Sequence, residues 1–295
     1  MIVGRDISKY YGSLPALDGV SFEFDHSVIF GVIGHNGAGK TTLLKILSGL
    51  ITPSSGALSV DEVDVLKNPG KLKEMLGYLP EESRLYEAMK VEDYLTFFGE
   101  IYGMGRSAIR DRSNKILTSL SLESNGKKIG ELSKGMKRKV AIARSLIHDP
   151  SLLVYDEPTS GLDPMTSRYI LDYLRDLKSE GRTIILSAHN LYQVEAICDI
   201  VMILRRGKVV AMGTMQELRE MFGSVSYSVY FTAPDINRIE GIRNYTLEAG
   251  FYHVSCGSID EMNAVTRVVT SSGGVVERIE SHYPTLEEML VKIGK

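Results

Sequence analysis

Cysteine is scarce in this chain: Cys198 and Cys256 are the only two, without metal-ligand spacing or paired histidines nearby. That excludes a disulfide framework and a thiolate metal site, so both thiols read as small buried hydrophobes of a reducing compartment, with no disulfide partner. Long apolar runs are missing too. No stretch approaches the roughly 18 residues that a membrane-crossing helix needs, and the N-terminus lacks the charged-then-apolar layout of a secretory signal. The chain is therefore expected to stay in the cytoplasm. An excess of one sign of charge is also missing, with 34 Lys and Arg against 37 Asp and Glu and a formal net charge of −3, so no nucleic-acid partner is expected.

What is present describes a globular protein. Hydrophobic residues make up 43% and charged residues 24% of the chain, and 295 residues suffice for one large domain and a smaller one. The stretch from Val28 to Leu47 organises the rest. Val28 to Ile33 predicts a buried strand, the spacing of Leu43, Leu44, Ile46 and Leu47 predicts a helix, and Gly49 can end it. Between them Gly34, His35, Asn36, Gly37, Ala38, Gly39, Lys40 and Thr41 fit the pattern G-x-x-x-x-G-K-[ST] at every fixed position. A phosphate group needs several backbone N–H groups converging at close range, which only side-chain-poor residues allow. Lys40 would add an ammonium, Thr41 a hydroxyl for Mg²⁺, and the helix N-terminus a partial positive charge.

In chain order, Ile2, Val20, Phe22 and Phe24 mark short strands joined by polar turns. Tyr11 precedes the loop, where stacking on a base and packing in a core are both open to it. Ala57 to Val60 reads as a strand, and so does Met75 to Leu79. The region beyond carries helical spacing through Tyr94, Leu95, Phe98, Ile101 and Tyr102. Ser133 stands where a helix N-cap belongs, before Lys134, Lys137, Arg138 and Lys139. Four cations there oppose the helix dipole, which predicts either a visiting anion or a solvated basic face.

Leu152 to Glu157 is an apolar run ending in two carboxylates, the pattern of a parallel strand whose C-terminal end opens on a ligand crevice. Asp156 is suited to a metal or its bound water, and Glu157 to orienting or deprotonating a water. Asp163-Pro164 opens a helix that Gly181 can close. His189 follows the strand Thr183 to Ser187 at the same sheet edge as the acids, so a phosphate contact is expected of it. Ile200 to Leu204 and Lys208 to Ala211 form a hairpin through Arg205-Arg206-Gly207. Beyond it, Thr214/Glu217, Ser258/Glu261 and Thr285/Glu288 have capping-box spacing, and Val225 to Phe231, Phe251 to Cys256 and Val275 to Ile279 read as strands.

From about Ile2 to Gly213 this order of motifs resembles the ATP-binding subunit of an ABC transporter. Gly34 to Thr41 resembles the Walker A loop, with Thr42 after it also on the nucleotide, Leu153 to Glu157 the Walker B strand with its catalytic glutamate, and Leu132-Ser133-Lys134-Gly135-Met136 the family signature. Ser160-Gly161-Leu162-Asp163 is similar to the D-loop, His189 to the switch histidine, and Tyr11 to the aromatic that stacks on adenine. Lys134 and Met136 depart from the usual Ser-Gly-Gly-Gln, and Glu81 stands where a glutamine is expected. Both departures resemble an exporter subgroup with separate membrane chains, as does the tail.

The resemblance implies an α/β fold: a P-loop ATPase core with an N-terminal antiparallel β subdomain and an inserted helical subdomain at about 81–150. A nucleotide-binding domain would span 1–213, and a small C-terminal α+β accessory domain 214–295. It further implies ATP and Mg²⁺ as ligands, with Thr41, Glu81 and Asp156 around the metal. Two such subunits, alike or different, would join head to tail, so that Ser133, Lys134, Gly135 and Met136 of one cover ATP on the other and Asp163 links the sites. A separate transmembrane permease would hold the pair on the cytoplasmic face of the membrane. The alternative is an ABC ATPase not involved in transport. The tail, which carries no chemical constellation, is expected to pack or to stabilise the dimer.

Overall fold

Alternating burial folds the start of the chain into a long hairpin, in which Ile2–Tyr11 (β1) pairs antiparallel with Leu14–Phe24 (β2). The computed structural model describes every residue except 62, 124–125, 224, 235, 237–241, 243 and 295. Ile29–Ile33 (β3) is buried at every position and runs through the glycine-rich loop into Lys40–Leu47 (α1). Ser55–Val60 (β4) and Val63–Asp64 (β5) extend the hairpin into a sheet of order β2-β1-β4-β5. After Pro69–Met75 (α2) and Leu76–Leu79 (β6), the chain leaves the sheets for Val91–Ile101 (α3), Arg106–Ser119 (α4) and Lys134–Leu146 (α5). Leu152–Asp156 (β7), Pro164–Ser179 (α6), Thr183–Ser187 (β8), Leu191–Ile197 (α7), Ile200–Arg205 (β9) and Lys208–Gly213 (β10) follow.

The second sheet has the order β10-β9-β3-β8-β7-β6, parallel except for the β9–β10 hairpin at one edge. Parallel strands covered on both faces read as unbroken apolar runs, as β3, β7 and β8 do. Phe24 stacks on Phe30 with centroids 4.1 Å apart, which joins the hairpin sheet to β3 in one core that also includes Leu43 and Leu47 of α1. The C-terminal ends of β3, β7 and β8 thus open side by side, and the segments leaving them carry the motif residues.

Met1–Met215 and Gln216–Lys295 form two compact units. In the second unit, Met215–Phe222 (α8), Ser226–Thr232 (β11), Thr246–Glu248 (β12), Phe251–Cys256 (β13), Ile259–Ser271 (α9), Val275–His282 (β14) and Leu286–Gly294 (α10) follow in sequence. Its antiparallel sheet, of order β12-β13-β11-β14, buries Val229, Phe231, Val254 and Cys256 with Val269 of α9. Thr285 and Glu288 form the reciprocal capping box that their spacing predicts. At α9, Ser258 caps Glu261 N–H, but the Glu261 carboxylate turns to the Gly257 N–H. Thr214 stands just before α8, with Glu217 in its first turn.

Candidate functional site

The glycine-rich loop closes against the β9–β10 hairpin and β2 so tightly that side chains do not fit. A Cβ on Gly34, at φ +154°, would lie 2.3 Å from the Leu204 carbonyl oxygen, and one on Gly39, at φ +108°, 2.5 Å from that of Ala16. Gly39 is also the N-cap of α1, so the first-turn N–H groups, which have no intrahelical acceptors, face the cavity at the loop. Lys40 is buried, and its Nζ donates to the Gly34 oxygen at 2.8 Å and the His35 oxygen at 3.4 Å. Burial lowers its pKa, while Glu157, Asp156 and Glu81 act in the opposite sense.

At the end of β7, Asp156 and Glu157 are only 3% and 6% exposed. The Ser187 hydroxyl at the end of β8 organises both: it donates to Asp156 Oδ1 and accepts from the Glu157 N–H at 3.1 Å. Glu157 holds φ +50°, a strained conformation for a residue with a side chain. His189 Nε2 lies 2.7 Å from Glu157 Oε1, with the imidazole 53% exposed. Burial raises the Glu157 pKa most; His189 and Lys40 lower it, and Glu81 and Asp156 add to the rise.

A cavity of about 660 Å³ brings these groups together: Asn36 to Thr42, Glu81, Glu157 and His189 line it, along with Leu14, Pro15, Ala16 and Arg206. Tyr11 is exposed and not among the lining residues; Leu14, its partner across the hairpin, is. Ser187 and Arg206 escape detection in the sequence, one as the last residue of an apolar strand and the other as an ordinary turn residue.

Ser133, Lys134, Gly135, Met136 and Asp163 do not line this cavity. Ser133 caps α5 by accepting from the Met136 N–H at 3.2 Å, and Lys134 lines a second cavity of about 620 Å³ with Lys137, Arg84, Glu82 and Ser160. Asp163 caps α6 through the Thr166 N–H at 2.9 Å, and a Cβ on Gly135 would meet the Thr166 methyl at 3.1 Å. Signature and D-loop therefore meet each other at the start of α6. Most cations of the basic run are engaged within the chain, which neither a visiting anion nor a wholly solvated face describes: Lys137 pairs with Glu87 at 2.8 Å, Lys139 lies 4.2 Å from the Tyr169 ring centroid, and Arg138 is buried among backbone carbonyls.

Among the described residues no group of three or more His, Cys, Asp and Glu converges as a metal site. The oxygens near the loop, from Thr41, Asp156 and Glu81, suit a hard cation that completes its shell from substrate phosphates.

The ABC transporter family model matches residues 17–160, and a model for the C-terminal domain of DrrA1-3-like ATP-binding proteins matches 213–293. The uncharacterized ABC transporter ATP-binding protein YhaQ of Bacillus subtilis is 30% identical over 299 residues, covering 100% of this chain and 99% of its own. The linearmycin resistance ATP-binding protein LnrL of the same species is 35% identical over 224 residues, covering 76% and 72%. A solved ATP-binding subunit of an ABC transporter superposes with a TM-score of 0.69 at 33% identity, covering 75% of this chain and 93% of that one.

Proposed function

The chain belongs to the family of ABC transporter ATP-binding subunits, and from that membership we propose that it hydrolyses ATP with Mg²⁺ to drive export through a separate membrane chain. The observation that carries the proposal is the juxtaposition of Lys40, Glu157 and His189 around one loop cavity, with the signature residues on another surface of the same chain. A phosphate loop without its signature is half a site. A second subunit placed head to tail would supply Ser133 and Gly135 across the first subunit's nucleotide, and Asp163, fixed beside that signature, would link the two sites.

In this reading the loop amides and Lys40 bind the β- and γ-phosphates, the ammonium exchanging its carbonyl acceptors for phosphate oxygens. Thr41, Asp156 and Glu81 would hold Mg²⁺, which when bound supplies neutralisation of phosphate charge. Glu157 accepts a proton from the attacking water, and His189 orients that carboxylate and reaches the γ-phosphate. Ser187 holds Asp156 in place from below. Tyr11, at the mouth of the hairpin, is assigned to the adenine. No helix among the described residues is long and apolar enough to cross a membrane, and the path for cargo is assigned to a separate permease chain. That partner would keep this subunit peripheral on the cytoplasmic face. Residues 214–295 act as an accessory domain, supported by the DrrA-like match and by a core of their own.

Phosphate release from ATP by the purified chain tests the proposal: turnover with Mg²⁺ and none with excess chelator is expected, and no turnover under either condition contradicts it. Glu81→Gln refines the metal assignment. Replacing a carboxylate by an amide near the cation should leave ATP binding intact and raise the Mg²⁺ concentration for half-maximal hydrolysis. Superimposable Mg²⁺ titrations of variant and parent would remove Glu81 from the metal.

A further inference from the structure

Arg138, in the second turn of α5, is a long cation only 7% exposed. Its Nε donates to the Pro158 oxygen at 2.9 Å, and its Nη2 to those of Asp156 at 3.1 Å and Glu157 at 2.7 Å. Its Nη1 donates to the oxygens of Pro80 at 2.8 Å and Glu81 at 2.9 Å, with Ser83 Oγ further off at 3.4 Å. Five carbonyls from two chain segments therefore converge on one guanidinium. Three belong to Glu81, Asp156 and Glu157, the residues whose side chains serve the metal and the water. The same helix begins at Ser133, whose hydroxyl is offered to the partner's nucleotide.

We propose that Arg138 is a positioning residue for hydrolysis: it ties the helix that meets the partner's ATP to the backbone that carries this chain's own metal and water ligands. The inference rests on the hydrolytic reading above. A planar fork with five N–H donors suits the task, because it reaches both segments at once, whereas a lysine ammonium with three donors at a single point does not. Glu81 and Glu157 line the loop cavity while their carbonyl oxygens accept from Arg138, so a displacement of α5 reaches both residues through their own backbone. Arg138 itself lines the cavity beside Lys134 and not the loop cavity, which separates its positioning role from binding at this chain's own phosphate loop.

The test compares the full-length parent, Arg138→Lys and Arg138→Gln after thermal melts establish that each is folded. ATP affinity is read by titration without turnover, and kcat, KM and the Hill coefficient for ATP by phosphate release. Both variants should bind ATP within about threefold of the parent, lose about tenfold or more in kcat as misplaced reacting groups do, and show a Hill coefficient reduced toward one. A structural role alone would lower the active fraction without changing the Hill coefficient. If Arg138→Gln does not fold, Arg138→Lys, which keeps the charge and loses the fork, decides. A parent without turnover overturns the hydrolytic reading and this inference together. A parent with turnover and an Arg138→Lys variant of equal kcat and Hill coefficient overturns the inference alone, as does a loss of ATP affinity that accounts for the whole loss of rate.

Discussion

Glu157→Gln is expected to slow ATP hydrolysis by about two orders of magnitude or more while leaving ATP binding in place. The substitution keeps size and shape, and a glutamine still reaches His189, which lies 2.7 Å from the carboxylate. It removes the group that accepts the proton from water. If ATP holds the proposed head-to-tail dimer closed and hydrolysis opens it, the variant accumulates as an ATP-bound dimer, seen as an earlier size-exclusion peak at dilute protein. A variant that hydrolyses ATP within threefold of the parent rate would remove Glu157 from the chemistry. The fold reports on the same residue. Burial raises the Glu157 pKa above its unfolded value, so the folded state binds the proton more tightly, and stability is lost as pH rises from the ordinary glutamate range through the raised value. In nucleotide-free buffer with chelator, the variant should therefore melt above the parent at neutral pH, and the difference should shrink below the ordinary glutamate range.

Lys40→Ala should weaken ATP binding by about a hundredfold or more, on the basis of two charge-assisted hydrogen bonds at about 1.5–3 kcal/mol each. The Nζ that now donates to the oxygens of Gly34 and His35 is a cation that the loop's own sequence places against the phosphate site. Its loss also leaves Asp156 and Glu157, both buried, facing a triphosphate without a compensating ammonium. Titration with a fluorescent ATP analogue reads the effect. A dissociation constant within threefold of the parent would contradict the assignment of Lys40 to the phosphates.

Much of this was legible because the informative residues act locally. Gly34, Gly39 and Lys40 shape one turn, Asp163 and Ser133 each cap the helix that follows them, and Leu152 to Glu157 announces a buried strand with acids at its end. The ABC cassette core followed from the resemblance that the order of these motifs carries, and the α+β tail from its own strand and capping patterns. Long-range contacts were not legible. Ser187 reaches Asp156 and Glu157 from another strand, and nothing about a serine ending β8 distinguishes it beforehand. Arg138 stands in a basic run, and the run hides that Arg138 shares the buried face of α5 with Ala141 and Ile142, three and four residues on. The strand Thr246–Glu248 left no signal because its three residues are exposed and pair with one neighbour only.

The central claim is that each nucleotide site is built from the phosphate loop of one subunit and the signature of another. It is tested most directly by mixing two differently tagged chains, Ser133→Phe/Glu157→Gln and Lys40→Ala/Glu157→Gln, and measuring co-purification with ATP. Each chain alone should remain monomeric, since the first lacks a working signature and the second a working loop. Ser133→Phe also removes a helix cap, worth about 1 kcal/mol, so its melt is recorded first. Mixed, the intact loop of the first chain faces the intact signature of the second, and ATP-dependent mixed dimers are expected. Failure of the mixture to associate, under conditions where Glu157→Gln alone dimerises with ATP, would contradict it.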